Sequence, residues 1–264
     1  MNIPSLDWIF GPSTRCIQFI GEETKNGGLL KRALAHLELD GPLWGLARER
    51  LESTGQTAAL ESLDRVAAQS PWNEQWAVEI RTDDYAAINA HSLVAVWGAL
   101  EICVEDTVAA LLRHDPDAGQ ILLSAGVSAK FIDRGMTADE EIDRTFRRLE
   151  QTLAIRGDAI ATYERLLNVF GLSARLEKDQ HVILLKAGAV RNCIVHRGGL
   201  IDTRAATQVP LLEPMIGQTY RVSSEEYLQV HSAAGSFATN LIRSIVASPY
   251  VKMPISPSAG DQLQ

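Results

Sequence analysis

The spacing of apolar residues constrains the fold of this chain more than any other feature. Along most of the sequence apolar side chains recur every three or four positions, whereas alternating, β-branched patterns bounded by turns are scarce. Between residues 84 and 113 this spacing is set by eight side chains: Ile88, Val94, Trp97, Leu100, Val104, Val108, Leu111 and Leu112. A spacing of threes and fours places such residues on one face of a helix. The sequence therefore predicts an all-α protein.

Four long helices are predicted, over 84–113, 139–170, 181–197 and 224–247, and four such helices favour a bundle. Asp115-Pro116 ends the first helix, and the second opens at Thr137 or Asp139. Ser223 and Glu226 have the spacing of a capping box at the start of the last. Residues 198–222, with two prolines and several glycines, predict an ordered but irregular crossover with a short extended piece at 219–222.

The first 80 residues have a different organisation from the rest. Shorter helical pieces over 29–39, 42–51 and 58–69 are separated by Gly27-Gly28, Asp40-Gly41-Pro42 and Ser70-Pro71. We interpret 1–80 as an N-terminal helical extension of unknown role and 81–250 as the bundle. Residues 251–264 carry two prolines and little apolar periodicity, which predicts a flexible tail.

Charge and cysteine content limit the classes of function. The net charge of −8 argues against broad, charge-driven affinity for nucleic acid or anionic membranes, although a local basic site remains compatible with it. The 3 cysteines are far apart without a C-x-x-C, so reduced thiols are the simplest interpretation. With no predicted membrane span or secretion signal, we expect a cytoplasmic protein.

The third predicted helix ends in the most informative stretch, Arg191-Asn192-Cys193-Ile194-Val195-His196-Arg197. Asn192 and His196, four residues apart, lie about 40° from each other around a helix, opposite a core stripe of Ile183, Ala187, Val190 and Ile194. Further apolar residues occupy the remaining sides of the helix. A helix that is apolar nearly all round is normally buried all round, and a second copy of the chain is the economical partner for the second side.

The end of the third predicted helix and the segments that follow it resemble a known superfamily. The pattern Arg-Asn-x3-His at the end of the third helix is followed by Arg-Gly-Gly-Leu-Ile-Asp and, after the irregular segment, by 217–223 leading into the last helix. This resembles the HEPN (higher eukaryotes and prokaryotes nucleotide-binding) domain superfamily over about residues 81–248. The resemblance implies a four-helix up-and-down bundle and a symmetric homodimer with a composite active site. In many members it also implies a metal-independent endoribonuclease that serves as a toxin or in antiphage defence, under an antitoxin or other regulatory partner.

The resemblance implies roles for three residues, acting on RNA without cofactor or metal. Cleavage can use the neighbouring 2′-OH as nucleophile, which requires a group that titrates near neutrality and a fixed cation at the phosphorus. His196 would move the proton, Arg191 would bind the scissile phosphate, and Asn192 would orient the imidazole or donate to the phosphate. The products would be a 2′,3′-cyclic phosphate and a 5′-OH. Some HEPN toxins carry a tyrosine two residues after the histidine, modified by a nucleotidyltransferase antitoxin; here Gly198 stands there, so control by that route is not expected.

Each of these residues also has a structural interpretation. His196 could simply sit at a helix end, Asn192 could be a buried hydrogen-bonding residue, and Arg191 could pair with Glu101 or Glu105 of the first long helix. It is left open which of Glu101, Glu105 and Asp106 faces the site. Cys193 is expected to pack rather than react.

Two further alternatives stay open. Arg144, Arg147 and Arg148 form either a solvated helix face or a track for RNA. The alternative function is a non-catalytic HEPN module for dimerisation, nucleotide sensing or partner binding. Phosphate-loop, dinucleotide-binding, zinc-protease and α/β-hydrolase motifs are missing from the sequence, and the histidines do not have metal-ligand spacing.

Overall fold

The computed structural model describes residues 6–37, 40–68, 70–127 and 137–252. Over these residues the protein is all-α, as predicted, and contains no β-strand. The α-helices are α1 (Asp7–Leu37), α2 (Asp40–Ser53), α3 (Thr57–Ala67), α4 (Ser70–Thr82), α5 (Ala86–His114), α6 (Ala118–Ser124), α7 (Ala138–Leu153), α8 (Ala159–Val169), α9 (Lys178–Arg197), α10 (Thr203–Gln208) and α11 (Ser224–Ala247). Short 3₁₀-helices span Pro210–Met215 and Pro249–Lys252.

The chain divides into two compact units. The first takes its described residues from Met1–Gly21, Leu93–Tyr220 and Gln229–Gln264, and the second comprises Glu22–Ser92 and Arg221–Leu228. In the second unit α2, α3 and α4 pack against one another. The prediction of an N-terminal extension over 1–80 stays a prediction.

In the first unit α5 is the central helix. Five of its apolar side chains are completely buried: Val96, Leu100, Val104, Val108 and Leu111. Polar contacts join the helices around it, since Gln180 of α9 donates to Ser236 of α11 at 2.9 Å and Tyr163 of α8 donates to Glu101 of α5 at 3.4 Å. The apolar face read from the sequence is therefore the core of this unit.

The predicted single helix over 139–170 is wrong, because α7 ends at Leu153 and α8 begins at Ala159. Gly157 adopts a left-handed φ of 82°, which a helix interior does not contain. Asp158 then caps α8, its carboxylate accepting from the backbone N–H of Ala161 at 2.8 Å. The glycine and the capping acid together stop one helix and start the next.

The N-terminal region departs from its prediction in the opposite sense. Instead of a short piece over 29–39, α1 runs for 31 residues through Pro12 and Gly27-Gly28. A Cβ on Gly27 would stand 2.8 Å from the hydroxyl oxygen of Tyr227, so this glycine allows a close approach of another side chain within the second unit. Ser70-Pro71, predicted as a break, opens α4, because proline is well tolerated in the first turn of a helix.

The predicted helix ends and caps are confirmed where local chemistry sets them. α5 ends at His114, directly before Asp115-Pro116. Thr137 and Glu140 form a complete capping box at α7, and Ser223 and Glu226 exchange hydrogen bonds of 3.1 and 3.3 Å at the start of α11. The crossover is ordered, with an antiparallel bridge between Leu200 and Thr219, but it also contains α10 and a 3₁₀-helix that were not predicted.

Among the described helices, α5 is the one whose length and apolar composition would suit a membrane span. Its middle is, however, the core of the first unit, and it carries Glu101, Glu105 and Asp106 in ion pairs with other parts of that unit. The central helix of a water-soluble domain has these properties. The tail predicted over 251–264 lies outside the described residues from 253 onward.

Candidate functional site: a groove at the end of helix α9

Two glycines end α9 and bring the chain back beside it. Gly198 is a left-handed C-cap with φ 60°, and the N–H of Gly199 donates to the carbonyl of Cys193 at 3.0 Å. The bridge between Leu200 and Thr219 holds the next residues in place. The chain then enters α10, which packs against α9. The residues of α10 are thereby held beside the C-terminal end of α9.

A groove of about 310 Å³ lies between the last turns of α9 and the helix α10. Its walls combine two carboxamides, an imidazole, two guanidinium groups and one carboxylate with small apolar surfaces. The lining residues are Ala189, Asn192, Cys193, His196, Arg197, Asp202, Arg204, Ala205 and Gln208. Asn192 and His196 are exposed here, so the structure brings these two predicted site residues together on one open surface.

Asp202 organises the α10 wall of the groove. One oxygen of its carboxylate accepts from the backbone N–H of Ala205 at 2.8 Å and so caps α10. The other lies 2.8 Å from Nε of Arg197, which closes an ion pair across the turn from α9 to α10. The charge of Arg197 is thus compensated locally, while the side chains of Arg204 and His196 form no ion pair or hydrogen bond with any residue that the structure describes.

Arg191 points to a different surface and does not line the groove. One guanidinium nitrogen donates to Glu101 at 3.2 Å, and another donates to the side-chain oxygen of Asn192 at 3.1 Å. Of the two acids named as partners from the sequence, it is therefore Glu101 that pairs with Arg191. Within one chain Arg191 reaches the groove only through the carboxamide of Asn192.

Glu101 is the centre of a part-buried cluster. It accepts from Nε1 of Trp97 at 2.9 Å and from the hydroxyl of Tyr163 at 3.4 Å, besides its pair with Arg191. Burial first, and then the negative charge of Glu101, raise the pKa of Tyr163 far above its ordinary value, so that this phenol stays a donor. Gly188 permits the arrangement, since a Cβ there would stand 2.7 Å from Cη2 of Trp97.

The other acids of α5 have partners of their own. Glu105 pairs with Arg147 at 3.2 Å and Asp106 pairs with Arg15 at 2.8 Å, so it is Glu101 that faces the motif arginine. Arg147 also lies within 4 Å of Asp143 and Glu150, at 3.7 and 3.6 Å. These partners favour the interpretation of the arginine cluster on α7 as a solvated helix face.

Two expectations about the α9 surface can be compared with the structure. Cys193 is 3% exposed and packs in the core, as expected. Leu184 and Ala189 on the second apolar side of α9 are buried in a single copy, whereas Val195 on the same side is 49% exposed. Part of that surface therefore stays open in one chain, and the homodimer stays a prediction.

Sequence reasoning missed Arg204, Asp202 and Gln208 as lining residues. The signal for α10 was present, since Asp202 stands directly before Thr-Arg-Ala-Ala and aspartate is a favoured N-cap residue. Nothing in the sequence indicated that α10 would lie against the end of α9. Among the described residues no group of three or more His, Cys, Asp and Glu side chains has an arrangement suited to a metal ion.

Comparisons with protein-family models, with curated proteins and with solved structures found no match to this chain. The function is therefore argued from the groove and its surroundings.

Proposed function

We propose that the protein is a metal-independent endoribonuclease of the HEPN type, with His196, Arg191 and Asn192 as its site. The observation that carries the proposal is the groove at the end of α9, which presents an exposed imidazole and a carboxamide beside two arginines on a chain with a net charge of −8. RNA binding by such a chain needs a local basic site, and this groove provides one. The resemblance adds the expectation of a role as a toxin or defence effector in the cytoplasm.

The chemistry requires no bound group. The imidazole of His196 takes the proton of the 2′-OH, the 2′ oxygen forms a bond to phosphorus, and the bond from phosphorus to the 5′ oxygen breaks. The 5′ oxygen leaves with a proton taken from water, and the imidazolium of His196 returns its proton to water, giving a 2′,3′-cyclic phosphate and a 5′-OH. Cationic donors stabilise the negative charge that collects on the phosphoryl oxygens between these events.

Helices α5, α8, α9 and α11 of the first unit supply the core of the proposed HEPN-like four-helix bundle, with α7 extending the second member. Hydrogen bonds join α5 to α8 and α9, and α9 to α11. We further propose a symmetric dimer in which Arg191 of one copy serves the groove of the other. This arrangement supplies the motif arginine that the groove of a single chain lacks.

The test is incubation of the purified protein with a mixed RNA pool in EDTA, followed by sequencing of fragment ends. We expect cleavage that His196→Ala reduces about 10²–10⁴-fold, because that is the usual contribution of a general acid or base. His91→Ala replaces an exposed histidine outside the groove and serves as the matched control. Cleavage that His196→Ala leaves at the level of the control would contradict the assignment.

A second experiment addresses the composite site. Arg191→Ala and His196→Ala chains are refolded together in equal amounts, so that about half of the dimers are mixed. If Arg191 acts across the dimer, each mixed dimer has one intact site of two, and about 25% of wild-type activity returns. If both residues act within one chain, mixing restores nothing. An Arg191→Ala/His196→Ala double variant in place of one partner is the control.

The second candidate is a non-catalytic module for dimerisation, nucleotide sensing or partner binding. One observation favours it, since the motif arginine is held by Glu101 and Asn192 as a structural ion pair would be. It predicts no cleavage by the folded protein in the same assay, and no dependence of binding on the imidazole of His196.

A further inference from the structure

Charge is distributed unevenly among the groove residues. Arg197 is paired with Asp202 at 2.8 Å, and Asp202 also caps α10. Arg204 is exposed, lines the same groove, and contacts no acid among the described residues. Apart from His196, the lining carries two positive charges and one negative charge, so Arg204 supplies the excess positive charge.

We propose that Arg204 is the residue that binds an internucleotide phosphate of single-stranded RNA beside His196. The proposal rests on the proposed function insofar as it takes RNA as the ligand of this groove. A guanidinium presents several donors in a fixed plane that matches two phosphate oxygens, which an ammonium does not.

The backbone that carries Arg204 is fixed relative to His196. The next two residues, Ala205 and Ala206, are buried at 4% and 7% exposure, which anchors α10. Asp202 ties the beginning of α10 to Arg197, the neighbour of His196 in the sequence. Because α10 is docked, the side chain of Arg204 but not its backbone loses conformational freedom when the guanidinium binds a phosphate.

The carboxamides of the groove favour a nucleotide over a bare anion. Asn192 uses its side-chain oxygen to accept from Arg191 at 3.1 Å, which leaves its NH₂ group as the available donor, and Gln208 offers both a donor and an acceptor from α10. Groups of this kind contact the edges of unstacked bases in single-stranded RNA. A volume of about 310 Å³ lies at the lower end of the range for ligand clefts.

The binding experiment uses a short single-stranded RNA with 2′-O-methyl groups, which cannot be cleaved through the 2′-OH. Its Kd is measured over a series of salt concentrations for the wild type, Arg204→Ala and Arg204→Lys. Arg165→Ala is the matched control, since Arg165 is an exposed arginine on α8 outside the groove. Inorganic pyrophosphate is tested in parallel as an anion without bases.

We expect Arg204→Ala to weaken RNA binding about 10-fold and to reduce the slope of log K against log salt by about 0.7, the loss of one phosphate contact on a single strand. Arg204→Lys should restore the slope but only part of the affinity. The control should match the wild type, and pyrophosphate should compete weakly. Equal Kd values for Arg204→Ala and Arg165→Ala, or no RNA binding by the wild type, would overturn the proposal.

Cleavage assays separate this proposal from the proposed function. If the wild type binds the RNA through Arg204 but never cuts unmodified RNA, the nuclease assignment fails and the phosphate site stands. If His196→Ala abolishes cutting while Arg204→Ala keeps the wild-type kcat/KM and Kd, the nuclease assignment stands and the role of Arg204 is refuted. If pyrophosphate displaces the labelled RNA as effectively as unlabelled RNA does, the ligand of the groove is an anion and not a nucleotide.

Discussion

Gly188→Ala tests the packing that supports the motif arginine. The added Cβ would meet Cη2, Cζ2 and Cζ3 of Trp97 at 2.7, 2.8 and 3.2 Å, and Trp97 is only 3% exposed, so its ring has little room to move. Overpacking of this kind costs about 1–3 kcal/mol. Replacing glycine by alanine inside a helix returns about 1 kcal/mol. The expected net change is therefore a loss of about 0–2 kcal/mol in the free energy of unfolding.

Gly235→Ala on α11 is the matched control, because it is also a mid-helix glycine and nothing lies within 4 Å of its Cβ position. It should stabilise by about 1 kcal/mol, so the two variants should differ by about 1–3 kcal/mol. For a chain of this size each kcal/mol corresponds to about 2–4 °C in Tm. Thermal unfolding followed by circular dichroism gives the comparison. Gly188→Ala with a Tm equal to that of Gly235→Ala would refute the reasoning.

The double variant identifies the cause. Phenylalanine at position 97 lacks the outer part of the indole ring, which contains the atoms nearest to the added Cβ. In the Trp97→Phe background the cost of Gly188→Ala should fall, with a coupling energy of about 1–2 kcal/mol in the double-mutant cycle. A cost that is the same in both backgrounds would place the strain elsewhere in the helix.

Three further predictions concern stability. Gly28→Ala should stabilise α1 by up to about 1 kcal/mol, because nothing lies within 4 Å of the added Cβ. Gly27→Ala should give no such gain, because its Cβ would meet the buried Tyr227. Urea unfolding of the two variants checks this difference. Burial raises the pKa of Glu164 above its ordinary value, so over an interval above that value the native state holds a proton that the unfolded state has lost. Stability therefore falls as pH rises through this interval, and the Tm of Glu164→Gln relative to the wild type should increase with pH; parallel Tm curves would contradict this. Asp158→Ala should lower the free energy of unfolding by about 1–2 kcal/mol, because it removes both the N-cap of α8 and the carboxylate that pairs with His181. Chemical denaturation measures this loss.

Much of the fold could be predicted because it depends on local pattern. Apolar spacing located α5, α9 and α11, and short-range capping chemistry located the beginnings of α7 and α11. The prediction errors arose at single residues whose local conformation or distant contacts the apolar spacing does not show. Gly157 broke an apparently continuous helix through its left-handed φ, while Gly27 stayed inside α1, where the side chain of Tyr227 lies close to it.

The site was predictable only in part, for the same reason. Helical spacing places Asn192 and His196 on one side of α9, and the structure puts both in the groove. The direction of Arg191 depends on which helix lies beside α9, so the sequence left two acids as partners and the structure selects Glu101. Arg204 belongs to a crossover without helical periodicity, and only the docking of α10 gives it a place in the groove.

A chain of hydrogen bonds joins the motif arginine to a residue of the groove, which affects how the loss of this arginine should be interpreted. Glu101 fixes Arg191, and Arg191 in turn donates to the oxygen of Asn192 at 3.1 Å and so orients its NH₂ group. Loss of activity in Arg191→Ala is therefore compatible with two roles, phosphate binding across a dimer and orientation of Asn192 within one chain. Restoration by mixed dimers separates them, because a residue that orients its own neighbour cannot be replaced from a second copy. With Arg204 as the phosphate ligand inside the groove, the orienting role would account for the position of Arg191 without a composite site.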